Sequence, residues 1–282
     1  MSDPIVSVII PTYGGANYLA EAIQSVLNQT YPNFELIVVN DASPDDTHQL
    51  MEQFDDERLN YIVHKENQGA VAARETGLQA SSGDLIAFLD QDDLFHPEKL
   101  EAYVAFMGEY PEIGVSYNGR FEINAITNAI REIWQPPLSV TLEDMIVGFP
   151  FAPSDTVFRR KWVFNEGIWD YNVGKGDEVV VNGGEYVYCG RLYFAGCKFA
   201  GIDRALNYRR YHPNRVYSDL EQRCESEHYC QEIILTDPRC PADVQSVRDT
   251  AHMNTNLVWA YYAFAQEETK LGQKFLNHAI QL

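Results

Sequence analysis

The chain reads as an α/β protein built on a doubly wound, mostly parallel sheet. Three observations lead there. Short apolar runs alternate regularly with longer stretches of helical periodicity through the first part of the chain. Polar and acidic residues gather where those runs stop. The run Leu85-Ile86-Ala87-Phe88-Leu89 is continuously apolar, as an interior strand buried on both faces should be.

The elements follow in order. Val6–Ile10 is a strand, ending at a turn, Pro11-Thr12-Tyr13-Gly14-Gly15. Asn17 opens a helix with Leu19, Ile23, Val26 and Leu27 on one face, and Pro32 closes it. Phe34–Val39 is the second strand and stops at Asn40-Asp41. Ser43-Pro44-Asp45-Asp46 is a helix start, with a cap, a proline at the first position and acids in the first turn. Leu59–Val63 is the third strand. Asn67-Gln68-Gly69 turns into a helix carrying Arg74, which Gly83 ends. The apolar strand follows, and then a helix from Pro97 to about Tyr110.

The strand starting at Leu85 stops at Asp90-Gln91-Asp92-Asp93. Like charges crowded at one strand end repel unless a cation neutralises them. The carboxyl end of an interior strand is also where open α/β sheets bind ligands. Asp90 and Asp92 stand two apart, so on extended chain both point the same way and offer hard oxygens to one divalent ion. The plainer alternative is a helix cap, with Asp93 or His96 capping the helix at Pro97. Asp41, at the end of the second strand, is placed to accept from a base or ribose, or else simply makes an Asx turn. Arg74 is either part of that edge or a solvated helix residue.

Composition narrows the function classes. Apolar residues make up 45% and charged residues 22%, the range of an ordinary globular protein. A net charge of −20 argues against nucleic acid or an anionic membrane surface as the main partner, so an anionic substrate must meet a local cation patch. No apolar run is long enough to span a bilayer, and Met1-Ser2-Asp3-Pro4 is unlike a signal peptide. Cys189, Cys197, Cys224, Cys230 and Cys240 are odd in number and lack zinc-like spacing, which suits free thiols in a cytoplasmic protein. No GxGxxG follows the first strand and no GxxxxGK[ST] occurs, against a dinucleotide fingerprint or a P-loop.

Four motifs together resemble family 2 glycosyltransferases of the GT-A fold. They are Val6 to Tyr13, Val39-Asn40-Asp41-Ala42-Ser43, Asn67-Gln68-Gly69 with Ala73-Arg74, and Gly83 to Asp93. The resemblance implies a GT-A, Rossmann-like sheet flanked by helices. It also implies inverting transfer of a sugar from a nucleotide diphosphate sugar, usually UDP-linked, with Mn2+ or Mg2+. By the same resemblance Pro11, Thr12 and Tyr13 line the nucleotide. Asp41 binds the uracil or ribose region, and Arg74 contacts the nucleotide. Asp90 and Asp92 match the DxD motif, with Asp92 the stronger metal ligand and Gln91 touching the donor. Farther on, Arg209-Arg210-Tyr211-His212-Pro213-Asn214 resembles the family's arginine-x-histidine element. There Arg210, within an Arg209-Arg210-Arg215 patch, would neutralise the diphosphate. His212 would be a third metal ligand or a hydrogen-bond donor to phosphate.

The resemblance thins beyond Tyr117. Phe121–Asn124 and Ile130–Trp134 read as a hairpin, Leu142–Val147 as a short helix, and Thr156–Lys161 as a strand with a basic turn. The catalytic base is assigned to Glu185, in Gly184-Glu185-Tyr186-Val187-Tyr188-Cys189-Gly190-Arg191-Leu192, where the family carries Glu-Asp before an aromatic residue. The acidic pair Asp177-Glu178 is the alternative, and Gly183-Gly184 is a poor helix start. From Ser218 the pattern turns helical. Leu257–Ala265 and Leu271–Ile280 form a hairpin that cannot bury its own face, so it should pack on the catalytic domain or on a second subunit as a homodimer. The expected organisation is a catalytic domain over 1–217, with a nucleotide-sugar half at 1–117 and an acceptor half at 118–217, and a helical extension over 218–282. The expected function is metal-dependent glycosyl transfer in polysaccharide or surface-glycan synthesis. The acceptor is a saccharide or lipid-linked saccharide, reached by a cytoplasmic protein through peripheral contact at the inner membrane face. Two alternatives stand beside it: a nucleotide-sugar-binding protein without catalysis, and a sugar nucleotidyltransferase, which should carry a glycine-rich, lysine-containing loop that Gly14-Gly15 lacks.

Overall fold

A computed structural model of the chain describes residues 4–148, 151–164, 184–211 and 219–282. The chain forms two compact units. The first comprises residues 1–139, 151–165 and 198–213, and the second 140–150, 166–197 and 214–282.

The first unit begins with β1 (Val6–Thr12), α1 (Leu19–Leu27), β2 (Phe34–Asn40), α2 (Thr47–Met51), β3 (Leu59–Val63), α3 (Ala70–Ala80) and β4 (Leu85–Phe88). It continues through β5 (Leu94–Phe95), α4 (Lys99–Glu109), β6 (Ile113–Asn124) and β7 (Ile130–Trp134). The chain returns to this unit at β8 (Thr156–Arg159), α6 (Arg160–Val163) and β9 (Lys198–Tyr211). Between them, the second unit holds α5 (Leu142–Val147) and α7 (Gly184–Phe194), and after β9 it adds α8 (Leu220–Leu235), α9 (Ala242–Gln245), α10 (Arg248–Ala265) and α11 (Thr269–Gln281).

The sheet runs β3-β2-β1-β4-β8-β6-β9-β5, with β7 paired to β6. β3, β2, β1 and β4 are parallel, as their connecting helices require. β8 enters antiparallel between β4 and β6, and the long β6–β9 pair is parallel again. The expected mostly parallel α/β sheet is therefore present; the strand expected at Thr156 is β8, and β5 and β9 are added to the strands legible from sequence.

Alternation along the strands decides which helix covers which face. Val6, Val8 and Ile10 of β1 join Leu36, Val38, Leu85 and Ala87 in a core sealed by α1 and by Leu100, Tyr103 and Met107 of α4. On the opposite face Gly77 of α3 meets Ile9 so closely that a Cβ there would stand 2.4 Å from Ile9 Cγ2.

A polar layer lies inside this unit where the sheet widens. Lys99 is fully buried, its ammonium above the rings of Phe95 and Tyr103. Its Nζ donates to Asn118 Oδ1 and, at 3.0 Å, to the Ser154 carbonyl. The Tyr103 hydroxyl lies 2.7 Å from both Asn118 Oδ1 and the Asp155 carbonyl and donates its one proton between them. Buried Asp155 accepts from Arg120 Nη1 at 2.8 Å and Asn207 Nδ2 at 2.9 Å. Burial pushes Lys99 down to about 7 from 10.5, against the opposing pull of the Asp155 and Asp93 charges. An unfolded lysine keeps its proton up to its ordinary value. Between about 7 and 10.5 the unfolded chain thus binds more protons, and this group's contribution to stability rises with pH. The stability difference between wild type and Lys99→Met, measured by urea unfolding, should therefore move in favour of wild type from pH 7 to 10.

In the second unit α5 opens on a capping box, Thr141 Oγ1 accepting from the Asp144 N–H and Asp144 Oδ2 from the Thr141 N–H. The helical hairpin of α10 and α11 buries Trp259, Ala260, Ala263 and Phe275 against Leu220 and Cys224 of α8. Trp259 also donates to Glu227 at 2.7 Å. The hairpin thus packs its buried apolar residues on α8, within its own unit, rather than on a second subunit. All five cysteines are buried and unbridged.

Candidate active site

The C-terminal ends of β1, β2 and β4 bring most of the singled-out residues of the first unit together. Pro11 and Thr12 end β1, and Tyr13 follows with its side chain half exposed. Gln91 is fastened across to them. Its Oε1 accepts from Thr12 Oγ1 at 2.6 Å and from the Tyr13 N–H at 2.9 Å, and its Nε2 donates to the Tyr13 carbonyl at 3.2 Å. The middle residue of the acidic motif thereby ties the β4 end to the β1 end.

The acids do not sit on extended chain. β4 stops at Phe88, and the Asp93 N–H donates to the Asp90 carbonyl at 3.0 Å, so Asp90 to Asp93 form a turn. Their mutual repulsion is relieved differently at each position. Arg74 Nη2 donates to Asp90 Oδ1 at 2.9 Å, so Arg74 belongs to the edge and is not a solvated helix residue. Asp93 is buried, and its pKa rises well above the carboxylate range, first through burial and then through the charges of Asp92 and Asp90. Arg209 and a Ser154 hydrogen bond oppose that rise. Asp93 does not cap α4. Its Oδ1 accepts from the Arg210 N–H at 3.2 Å, and at the start of α4 it is His96 Nδ1 that accepts, from the Glu98 N–H at 3.3 Å.

Asp41 is almost wholly buried at the end of β2. Its Oδ1 accepts from the Gln68 N–H at 2.9 Å and pairs with His64 Nδ1 at 2.7 Å, while Oδ2 accepts from the Gly69 N–H at 2.7 Å. His64 Nε2 reaches Thr76 Oγ1 at 2.8 Å. Asp41 thus anchors the entry to α3, and the local turn is made by Asn40, whose Oδ1 accepts from the Ser43 N–H. Asparagine at 41 would turn an amide NH2 towards one of these buried donors. Asp41→Asn should cost about 1–3 kcal/mol, read from the urea midpoint.

The Arg210 side chain is buried. It donates to Glu21 Oε2 at 2.6 Å and Asn128 Oδ1 at 2.7 Å, and its guanidinium lies 5.2 Å from the Tyr18 ring centre. Arg209 stands 3.9 Å from Glu122. Glu185 is in the first turn of α7, but its side chain lies outside the described residues, as do Asp177, Glu178, His212 and Arg215. Lys99, Ser154 and Asp155 were not singled out from the sequence. A lysine after Pro97-Glu98 reads as a helix surface, and the Ser-Asp pair as a loop.

Among the described residues no three His, Cys, Asp or Glu side chains converge as a complete metal cage. The oxygens of Asp90 and Asp92 are nonetheless the hard donors that Mg2+ and Mn2+ take. Such ions commonly complete their shell with substrate phosphates and water. The residues present therefore fit a divalent ion held partly by a diphosphate.

The fold and this edge define an α/β protein with an acidic turn at a strand end. The chain matches the Glycosyl transferase family 2 model over residues 7–163 and belongs to that family. An uncharacterised glycosyltransferase of Rickettsia bellii is 49% identical over 179 residues, 63% of this chain and 26% of the relative. The putative teichuronic acid biosynthesis glycosyltransferase TuaG of Bacillus subtilis is 34% identical over 145 residues, covering 51% of this chain and 57% of TuaG. The Escherichia coli UDP-Glc:alpha-D-GlcNAc-diphosphoundecaprenol beta-1,3-glucosyltransferase WfgD is 41% identical over 107 residues, 38% of this chain and 42% of WfgD. The chain thus spans less than two thirds of each of these relatives.

Two solved structures share the fold. Staphylococcus aureus TarS 1–349 with UDP-GlcNAc superposes at a TM-score of 0.65, 18% identical, covering 98% of this chain and 91% of that one. The Pyrobaculum calidifontis mannosyltransferase PcManGT with GDP-Man and Mn2+ superposes at 0.67, 17% identical, covering 98% and 86%.

Proposed function

We propose that this glycosyltransferase moves a sugar from a UDP-sugar to a hydroxyl acceptor, with inversion, during polysaccharide or surface-glycan synthesis. The observation that carries the reading is the meeting of the β1 and β4 ends, where Thr12, Tyr13 and Gln91 lock together beside Asp90 and Asp92. In this reading the half-exposed Tyr13 ring flanks the base, and Asp41 holds the wall behind it. Asp92, with Asp90, holds Mn2+ or Mg2+, which when bound offsets the charge growing on the leaving diphosphate. His212 and Arg210 serve the same diphosphate, His212 as a metal or phosphate contact and Arg210 by its positive charge. Glu185 takes the acceptor proton as the hydroxyl attacks.

The relatives support the substrate class. WfgD is named for UDP-Glc and a lipid-linked diphosphate acceptor, TuaG for teichuronic acid, and TarS is solved with UDP-GlcNAc. Among the described residues no helix is long and apolar enough to cross a membrane. In this reading a lipid-linked acceptor is met by peripheral contact. Calorimetric titration of UDP and GDP, with and without Mn2+, tests the donor. UDP binding that tightens with Mn2+ is expected, and absence of nucleotide binding under every metal condition overturns the reading.

A further inference from the structure

The buried lysine has no place in the transfer chemistry, yet it is joined to the acidic turn through one residue, Ser154. Its neighbours Phe95 and Tyr103 are rings that an apolar side chain of equal length would fit. Burying an ammonium is costly, and well-packed apolar replacements of buried charges are often at least as stable. Packing alone therefore does not account for Lys99; what its ammonium holds does.

It holds Ser154. The Ser154 carbonyl accepts from Lys99 Nζ at 3.0 Å. The Ser154 hydroxyl accepts from the Asp90 N–H at 3.1 Å and bonds the Asp93 carboxyl. Both Lys99 and Ser154 are fully buried. The next residue, Asp155, is fixed in turn by Arg120 and Asn207. One serine thus joins the first and last acids of the turn to a lysine on α4.

We propose that Lys99, acting through Ser154, is a positioning residue that sets the Asp90–Asp93 turn for a divalent cation. This rests on the donor-site reading above. Lys99 touches neither nucleotide nor metal. It fixes the peptide plane of Ser154, and the hydroxyl on that residue fixes where the acids begin and end. Groups that orient metal ligands in this indirect way typically change metal affinity by roughly 10–100-fold when removed.

The test is the ratio of UDP affinity with Mn2+ to that without, measured calorimetrically on the full chain. Ser154→Ala and Lys99→Met should each cut that ratio by on the order of 10–100-fold, leaving metal-free UDP affinity unchanged. Tyr103→Phe loses hydroxyl bonds to Asn118 and Asp155 but none to Ser154. It should lower the melting temperature and keep the ratio. A ratio unchanged in Ser154→Ala overturns the inference, as does a ratio that falls equally in Tyr103→Phe. If Lys99→Met does not fold, Ser154→Ala and Tyr103→Phe decide. Wild type that gains no affinity from Mn2+ overturns the donor-site reading together with the inference; wild type that gains it while Ser154→Ala gains as much overturns the inference alone.

Discussion

Asp92→Asn is expected to abolish the gain in UDP affinity that Mn2+ brings, while leaving the weaker metal-free binding in place. Three acids share the turn, but they are not equivalent. Arg74 holds one oxygen of Asp90, and burial draws Asp93 towards its neutral form. The family resemblance puts the cation contact chiefly on Asp92. Asparagine preserves the shape of the side chain and removes its charge, so the loss should exceed the roughly 10–100-fold seen for changes one shell out. Calorimetry with and without Mn2+ reads it directly. A gain that survives in Asp92→Asn and vanishes in Asp90→Asn would transfer the metal to Asp90, and Arg74 would then have to release it.

Glu185→Gln should lower turnover by about 10²–10⁴-fold, the range over which a positioned general base acts, with donor affinity unchanged. The measurement is release of UDP from a UDP-sugar in the presence of saccharide acceptors, beside calorimetry of UDP on the same variant. The paired outcome matters. Lost turnover with intact binding places Glu185 in proton transfer. Full turnover assigns that role to Asp177 or Glu178, for which the amide substitutions are the next comparison.

The first unit's α/β order was legible because each strand from β1 to β4 is a short, mainly apolar run, separated from the next by a helix with its own start and stop residues. The acidic motif and Asp41 were legible because they fall at the ends of those runs, and Arg74 because its helix opens at Asn67-Gln68-Gly69. Their geometry was not. Period-two spacing placed Asp90 and Asp92 on one face, but the strand stops at Phe88 and the acids belong to a turn whose shape is set by Ser154, distant in sequence. β9 was missed for a related reason. Lys198–Tyr211 carries Asp203, Arg204, Asn207, Arg209 and Arg210, too polar for a central strand by pattern. Asn207 and Arg210 are nevertheless buried, because Asn118 and Asp155 satisfy the one and Glu21 and Asn128 the other. A partner that is remote in sequence leaves no local signal.

The return of β9 to the sheet also bears on synthesis of the chain. The family match ends at residue 163, whereas β9 begins at Lys198 and lies between β6 and β5. On the ribosome, β6 would emerge with one side unpaired along Ile113–Asn124 and stay so until Tyr211 had been translated. An expression clone cut at the family boundary would make that exposure permanent, leaving a long strand edge able to pair with other chains. The shortest soluble form of this first unit should therefore be one that runs past residue 211.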